Sequence, residues 1–168
     1  MTRRPALLAI ALLLPAPLLS GCGLRPLYAG GGDGKVATAL AGIEVGPIAG
    51  QSGWLMHNAL NDRLSRGGGG GARYRLEVEL DDHITGFGVR ADNAVTRERR
   101  TLRARYRLVA TDRGTVLLDA TAGSDAGIDV VSSEYATVAA EQSALERLTE
   151  DVADQIVARL ALYASRTR

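Results

Sequence analysis

Cysteine and histidine are scarce in this chain of 168 residues, and their scarcity excludes several kinds of site. Cys22 is the single cysteine, so the chain cannot form a disulfide within itself. The two histidines, His57 and His83, have no second cysteine to join them and do not supply the ligands of a structural zinc site. We therefore expect no metal site and no cofactor.

An excess of charge of one sign is also missing. The chain has 20 lysines and arginines against 19 aspartates and glutamates, which gives a formal net charge of +1 at pH 7. Because the charges nearly balance, the overall charge does not indicate a polyanionic partner. Only a local cluster of charge could indicate one.

No apolar run is long enough to be a simple membrane anchor. The run of residues 6–19 is shorter than the roughly 20 residues that a helix needs to cross a bilayer, and Pro15 and Pro17 interrupt it. The run follows Arg3 and Arg4. A basic start before a short apolar stretch is typical of a secretory signal peptide.

The apolar run ends in Leu19-Ser20-Gly21-Cys22, which resembles the lipobox of bacterial lipoproteins. The resemblance implies that residues 1–21 are a signal peptide, that Cys22 receives lipid, and that the mature chain begins there. In enterobacterial lipoproteins an aspartate after the cysteine favours the inner membrane, so Gly23 favours the outer membrane, with the lipid anchor on the periplasmic side. A transmembrane anchor, or an ordinary signal peptide before a chance cysteine, is the alternative.

The mature chain is expected to begin with a tether and to continue as one domain. Residues 22–35 combine the lipid-bearing cysteine with the glycine-rich stretch Ala29–Gly34, which predicts a flexible tether. Residues 36–168 are long enough for a single domain with its own core. Five consecutive glycines at 67–71 predict a loop within it.

Two stretches have the apolar spacing of amphipathic helices. The first covers residues 52–66, with Ser52 as its N-cap. The second runs from Ser132 or Ser133 to about Tyr163. Its apolar stripe consists of Val138, Leu145, Leu148, Val152, Ile156 and Leu160.

Four stretches have the pattern of strands. A short one lies within residues 40–48, and the ranges 73–84 and 101–110 alternate between apolar and charged side chains before a last strand at 116–122. The order β-α-β-β-β-α predicts an α+β fold. We expect a two-layer sandwich in which two amphipathic helices pack on a four-stranded, largely antiparallel sheet.

The segment Gly86–Arg97 joins the two long strands. It contains a turn candidate at residues 91–94. A hairpin that extends past the sheet would suit insertion into a partner. An exposed loop is an equally good interpretation of this segment.

Arginines cluster on the second long strand and just before it. The candidates for a binding site are Arg97, Arg99, Arg100, Arg103 and Arg105. Their planar guanidinium groups suit phosphate and carboxylate. One interpretation is a solvated strand face paired with Glu77, Glu79 and Asp81 of the preceding strand. The other is a site for lipopolysaccharide, whose lipid A and inner core carry phosphates and carboxylates.

Nucleic acid and catalysis are not supported. The predicted export places the domain outside the cytoplasm, and no aromatic side chains are interleaved on the arginine face. Ser65, His57 and Asp62 lie close in sequence, but no nucleophile elbow or ordered triad is present. We expect no nucleic-acid partner and no enzymatic activity.

Several segments, taken in order, resemble one known family. The first, Cys22-Gly23-Leu24-Arg25-Pro26-Leu27-Tyr28, is similar to the CGFRPLY start of LptE, the lipopolysaccharide-assembly lipoprotein, in its alphaproteobacterial form. The segments Arg99–Leu108, Val131–Thr137 and Ile156–Leu160 resemble the same family. Leu24 in place of the usual aromatic residue, and the glycine run, depart from the family pattern.

The resemblance implies both a fold and a role. The fold is two helices on a four-stranded sheet. The role is that of an outer-membrane lipoprotein that plugs and helps assemble the LptD-type β-barrel translocon and assists insertion of lipopolysaccharide into the outer leaflet. Expected partners are the barrel, lipopolysaccharide and, through Cys22, the membrane. The family binds lipopolysaccharide through basic residues, for which the five arginines are candidates by position. An accessory lipoprotein of another envelope transport system is the alternative.

Overall fold

The computed structural model describes residues 34–65, 71–89 and 95–166. The predicted signal peptide, Cys22 and most of the tether lie outside the described residues. So do residues 67–70 of the glycine loop and the turn candidate at 91–94.

Helices and strands follow one another in the order α-β-α-β-β-β-α. They are α1 (Lys35–Ala41), β1 (Ile43–Val45), α2 (Gly50–Leu64), β2 (Tyr74–Val89), β3 (Val95–Ala110), β4 (Val116–Asp129) and α3 (Glu134–Arg166). The strands form one sheet in the order β1-β2-β3-β4. β1 is parallel to β2 and the other pairs are antiparallel. The predicted α+β fold with a largely antiparallel four-stranded sheet is confirmed.

The core lies between one face of the sheet and the two long helices. Met56 of α2 and Ile156 of α3 are fully buried against Leu76 of β2 and Leu102 of β3. α2 and α3 lie side by side and run in the same direction, since Gln51 bonds Gln142 and Arg63 bonds Asp154. The opposite face of the sheet carries no helix among the described residues.

A third helix, α1, corrects the prediction of two helices, whereas the short strand predicted within residues 40–48 is present as β1. Val36 and Leu40 are four residues apart, so they lie on one side of the helix and pack against the core. The stretch has only seven helical residues and follows a glycine-rich segment, so its periodicity is too short to read from the sequence.

The long strands extend beyond their predicted ends. β2 and β3 have 16 residues each, and their pairing continues through Thr85 with Arg99 and Phe87 with Arg97. Side chains of β2 from His83 to Gly88 are exposed on both faces of the sheet, so no alternation of apolar and polar residues marks them as strand. β4 likewise continues to Asp129, past its predicted end at residue 122.

The helix starts differ in how well the sequence predicted them. Ser133 caps α3 as predicted, because its side-chain oxygen accepts a hydrogen bond from the N–H of Ala136 at 3.4 Å. α2 begins at Gly50, before the predicted Ser52, and has no side-chain cap. At Gly53 an added Cβ would lie 2.6 Å from the carbonyl oxygen of Ile48, so only glycine lets this loop pack on the first turn of α2. Among the described helices, none has the length and apolar character needed to span a membrane.

Candidate functional site: the arginine row on the open face of the sheet

Alternation along β3 separates an apolar side from a cationic side. Leu102, Ala104 and Tyr106 point into the core and are buried, whereas Arg103 and Arg105 between them point the other way and are exposed. We call the helix-free side of the sheet the open face. We call its cations on β3 the arginine row, which consists of Arg97, Arg99, Arg103, Arg105 and Arg107.

Acidic residues flank the arginine row on both sides. On β2, Glu77, Glu79 and Asp81 lie opposite Arg107, Arg105 and Arg103 in the strand register. This confirms the pairing of strands that the sequence predicted. On β4, Asp119, Asp125 and Asp129 form a second acidic line that the sequence pattern had not indicated. Their spacing by even numbers of residues was the available signal, but the predicted strand stopped before the last two.

Four members of the arginine row have a carboxylate within 4 Å. Arg105 holds Asp119 with two hydrogen bonds, of 2.8 and 3.2 Å. Arg107 lies 3.2 Å from Glu77, Arg97 lies 3.3 Å from Asp129, and Arg99 lies 3.9 Å from Asp125. The open face is therefore a lattice of alternating charge and not a cationic patch.

The bonds between Arg105 and Asp119 have an electrostatic consequence. The hydrogen bonds from Arg105 lower the pKa of the Asp119 carboxyl and, reciprocally, raise the pKa of Arg105. Asp119 thus stays ionised at neutral pH, and this pair remains an ion pair.

Arg103 is the exception within the arginine row. Among the described residues, no carboxylate lies within 4 Å of its guanidinium group. Its side chain extends over Gly123 of β4, where an added Cβ would come within 2.5 Å of it. Arg103 is therefore the cation of the arginine row that is most available to a new anion.

Arg99 has an aromatic neighbour in addition to Asp125. Its guanidinium carbon lies 5.4 Å from the centre of the Phe87 ring, within the range of a cation–π contact. Phe87 is 39% exposed. This end of the open face therefore combines a cation with exposed apolar surface.

Arg100 lies on the opposite side of β3, under α3. Its guanidinium group donates two hydrogen bonds to Asp82, of 2.7 and 2.9 Å, and one of 2.9 Å to the carbonyl oxygen of Glu141. The bond to Asp82 raises the pKa of Arg100. Of the five candidate arginines, the structure brings together four on the open face and separates Arg100, because its even number places it on the helix side of the strand.

Two carboxyl groups meet beside Arg100. Glu98 of β3 lies near Glu141 of α3, and burial first and then the charge of Glu141 raise the pKa of Glu98. The second carboxyl oxygen of Glu98 is buried without a described partner. This pair places two carboxyl groups between the sheet and the first turns of α3, and nothing in the sequence pattern indicated it.

Comparison with known proteins settles the family. The model of the family described as LptE, lipopolysaccharide-assembly, matches residues 40–160. The chain belongs to the LptE family. No curated protein matches the sequence closely.

Solved structures give the LptE-family chain several structural neighbours. A putative lipoprotein from Caulobacter crescentus is 26% identical, with a TM-score of 0.67 over 80% of this chain and 100% of that one. A minor lipoprotein from Acinetobacter baumannii is 12% identical, with a TM-score of 0.60 over 71% of this chain and 90% of that one. The rare lipoprotein B from Shewanella oneidensis is 8% identical, with a TM-score of 0.58 over 71% of this chain and 93% of that one. The last two share the fold.

Family and fold together give the coarse function of the chain. It is a lipoprotein of the type that assembles lipopolysaccharide, a process of outer-membrane biogenesis. Within the described residues, no cluster of histidine, cysteine and acidic side chains could hold a metal ion.

Proposed function

We propose that this chain is an outer-membrane lipoprotein that plugs and helps assemble an LptD-type β-barrel and assists insertion of lipopolysaccharide into the outer leaflet. In this proposal residues 1–21 are removed, Cys22 carries the lipid on the periplasmic side, and residues 36–168 form the plug. The role is that of a structural and binding component without catalysis.

The observation that carries the plug proposal is the open face of the sheet. Its arginine row and two acidic lines are polar and nearly balanced in charge. The lumen of a porin-type barrel is itself polar. A face of this kind can exchange its exposed ion pairs for pairs with a polar wall at small cost, since exposed pairs contribute little to stability.

Detergent extraction and pull-down test the plug proposal. A tagged, lipidated chain purified from outer membranes should retain a large β-barrel protein in a fixed ratio. A variant with Thr121→Arg adds bulk and charge to the middle of the open face and should reduce that ratio. Ala158→Arg, on an exposed position of α3, is the matched control for charge and size. If no barrel protein is recovered with the unaltered chain, the proposal is wrong.

We further propose that lipopolysaccharide contacts the open face through Arg97, Arg99, Arg103 and Arg105. Arg103 supports this most directly, because it is the one with no described carboxylate within 4 Å. The other three would have to release aspartates that they now hold. Arg100 is omitted, because its donors already serve Asp82 and Glu141.

Binding measured at several salt concentrations tests the arginine site. Replacing Arg99, Arg103 and Arg105 by glutamine should weaken lipopolysaccharide binding and flatten its salt dependence, because exposed charge contacts are screened by salt. The matched control replaces Arg147, Arg159 and Arg166 of α3 by glutamine. These arginines are exposed, so their replacement removes the same charge. Equal affinity of the two triple variants would reject the site.

A further inference from the structure

An apolar groove lies at the end of the domain where β3 turns into β4. It has a volume of about 430 Å³, and its floor is formed by Ile43, Tyr74, Leu108, Leu117 and Leu160. Ala39 of α1 forms one wall. Asp112, Arg113 and Thr115 of the β3–β4 turn stand at its rim and are exposed. We call this cavity the proximal groove.

The path of the chain leads a specific segment to this groove. α1 begins at Lys35 and contributes Ala39 to the wall, so Gly34, the residue before the helix, lies within about two helical turns of the groove wall. The six residues from Ala29 to Gly34 can span at most about 20 Å. From Lys35 to Ala39 the helix rises only about 6 Å. Residues up to Tyr28 are therefore long enough to return across α1.

The composition of that segment fits the groove better than it fits a tether. Between the lipid-bearing cysteine and the glycine-rich stretch stand Leu24, Leu27 and Tyr28, which a solvated tether does not need. Pro26 restricts Arg25 to extended conformations, so less conformational entropy is lost on docking.

Charge at the rim is also complementary to the segment. Among the described residues, Asp112 is paired only with its neighbour Arg113, at 3.3 Å, and both side chains are largely exposed. Such a pair contributes little and is easily exchanged. Arg25, next to Leu24, can take the place of Arg113 on Asp112 when the segment lies across the rim.

We propose that Leu24–Tyr28 docks in the proximal groove, with its apolar side chains on the floor and Arg25 at Asp112. The glycine-rich residues 29–34 then form a short loop, and only Gly23 separates the docked segment from Cys22. The domain is thereby held against the membrane surface. This consequence, though not the docking itself, rests on the proposed lipidation of Cys22.

Disulfide trapping tests the docking in the lipidated chain. Lipid occupies the thiol of Cys22, so Tyr28→Cys with Thr115→Cys introduces the only free thiols, one on the segment and one at the rim. The pair should form a disulfide rapidly under mild oxidation. Tyr28→Cys with Thr121→Cys is the matched control, because Thr121 lies on β4, about 20 Å further along the chain than Thr115. Equal rates for the two pairs would mean an undocked tether and would overturn the proposal.

The same trap separates the possible occupants of the groove. The disulfide between positions 28 and 115 should form equally fast in a Cys22→Ser chain, which carries no lipid. It should form more slowly after Leu24→Ser and Leu27→Ser are added. Trapping that requires the lipid would assign the groove to an acyl chain and overturn the proposal. Disulfides between two chains would assign the groove to a second copy and would overturn the proposal as well. Acylation of Cys22 is read independently from the mass of the chain.

Hydrogen exchange gives a readout that needs no cysteine. In the lipidated chain the turn 111–115 and the last turn of α3 should exchange more slowly than in a variant with Leu24, Leu27 and Tyr28 replaced by serine. A chain with Gly30, Gly31 and Gly32 replaced by serine is the control and should retain the protection. Identical exchange in all three chains would contradict the docking.

Discussion

Side chains three residues apart on β3 have opposite surroundings, as Arg100 and Arg103 show. Arg100 is enclosed between the sheet and α3, where its side chain is 13% exposed and holds Asp82. Arg103 lies on the open face across Gly123. The sequence places both in one basic cluster, and only the parity of their numbers along a strand separates them.

Removal of the Arg100 guanidinium should destabilise the fold. Arg100→Gln leaves Asp82 partly buried without its cation and frees the carbonyl oxygen of Glu141, so we expect a loss of about 2 kcal/mol in the free energy of unfolding. Urea unfolding measures it. Arg105→Gln, on the open face, is the control and should change stability little. Equal losses in the two variants would contradict the separation of roles.

The carboxyl pair of Glu98 and Glu141 should make stability depend on pH. The raised pKa of Glu98 means that the folded state binds its proton more tightly than the unfolded state does. Stability from this group is therefore greatest below its ordinary value of 4.5 and falls as pH rises through the raised value. Glu98→Gln should be more stable than the unaltered chain at pH 7 and lose that advantage in acid. Parallel pH profiles of melting temperature for the two chains would contradict this.

At the scale of elements, the sequence predicts well where one face of an element is buried and the other is solvated. α3 is the clearest case, since Leu145, Val152 and Ile156 of its predicted stripe are all buried. Val138 belongs to the same predicted stripe but is 55% exposed, because the first turns of α3 extend beyond the core. The apolar pattern of a sequence thus overestimates burial where no other element covers the residue.

The same reasoning explains which elements could not be predicted. α1 is too short for the helical spacing of its apolar residues to be recognised in the sequence. It is stabilised by the burial of Leu40, which is a tertiary contact. The outer part of β2 has no buried face, so its strand character comes from pairing with β3. The outer part of β3 has charged residues such as Arg100 on its helix side, so no apolar alternation marks it as strand. The second acidic line on β4 was missed for a related reason. Small residues such as Gly123 and Ala126 hide the alternation there.

Truncation of a core side chain tests the assignment of the buried helix face. Ile156→Ala should cost about 2–5 kcal/mol in the free energy of unfolding, because Ile156 is fully buried between α3 and the sheet. Leu162→Ala on the same helix, where the side chain is 40% exposed, should cost much less. Chemical denaturation of both variants provides the comparison. A smaller loss for Ile156→Ala than for Leu162→Ala would show that the core-facing side of the helix is assigned wrongly.

At the scale of the whole molecule, the two faces of the sheet have different roles. The helix-covered face of the sheet holds the fold together through one apolar core. No described helix packs on the open face, which presents rows of opposite charge with Arg103 among them. In this chain of the LptE family, the described helices therefore leave one face of the sheet uncovered.

Photo-cross-linking in intact cells tests most directly the claim that the open face lies against a barrel. A photoreactive amino acid at Thr121, in the middle of the open face, should yield an adduct with a large β-barrel protein of the outer membrane. The same group at Leu145 of α3, which is buried, is the negative control and should yield no adduct. If the Thr121 variant is lipidated and folded but forms no adduct with any outer-membrane barrel, the central claim is contradicted.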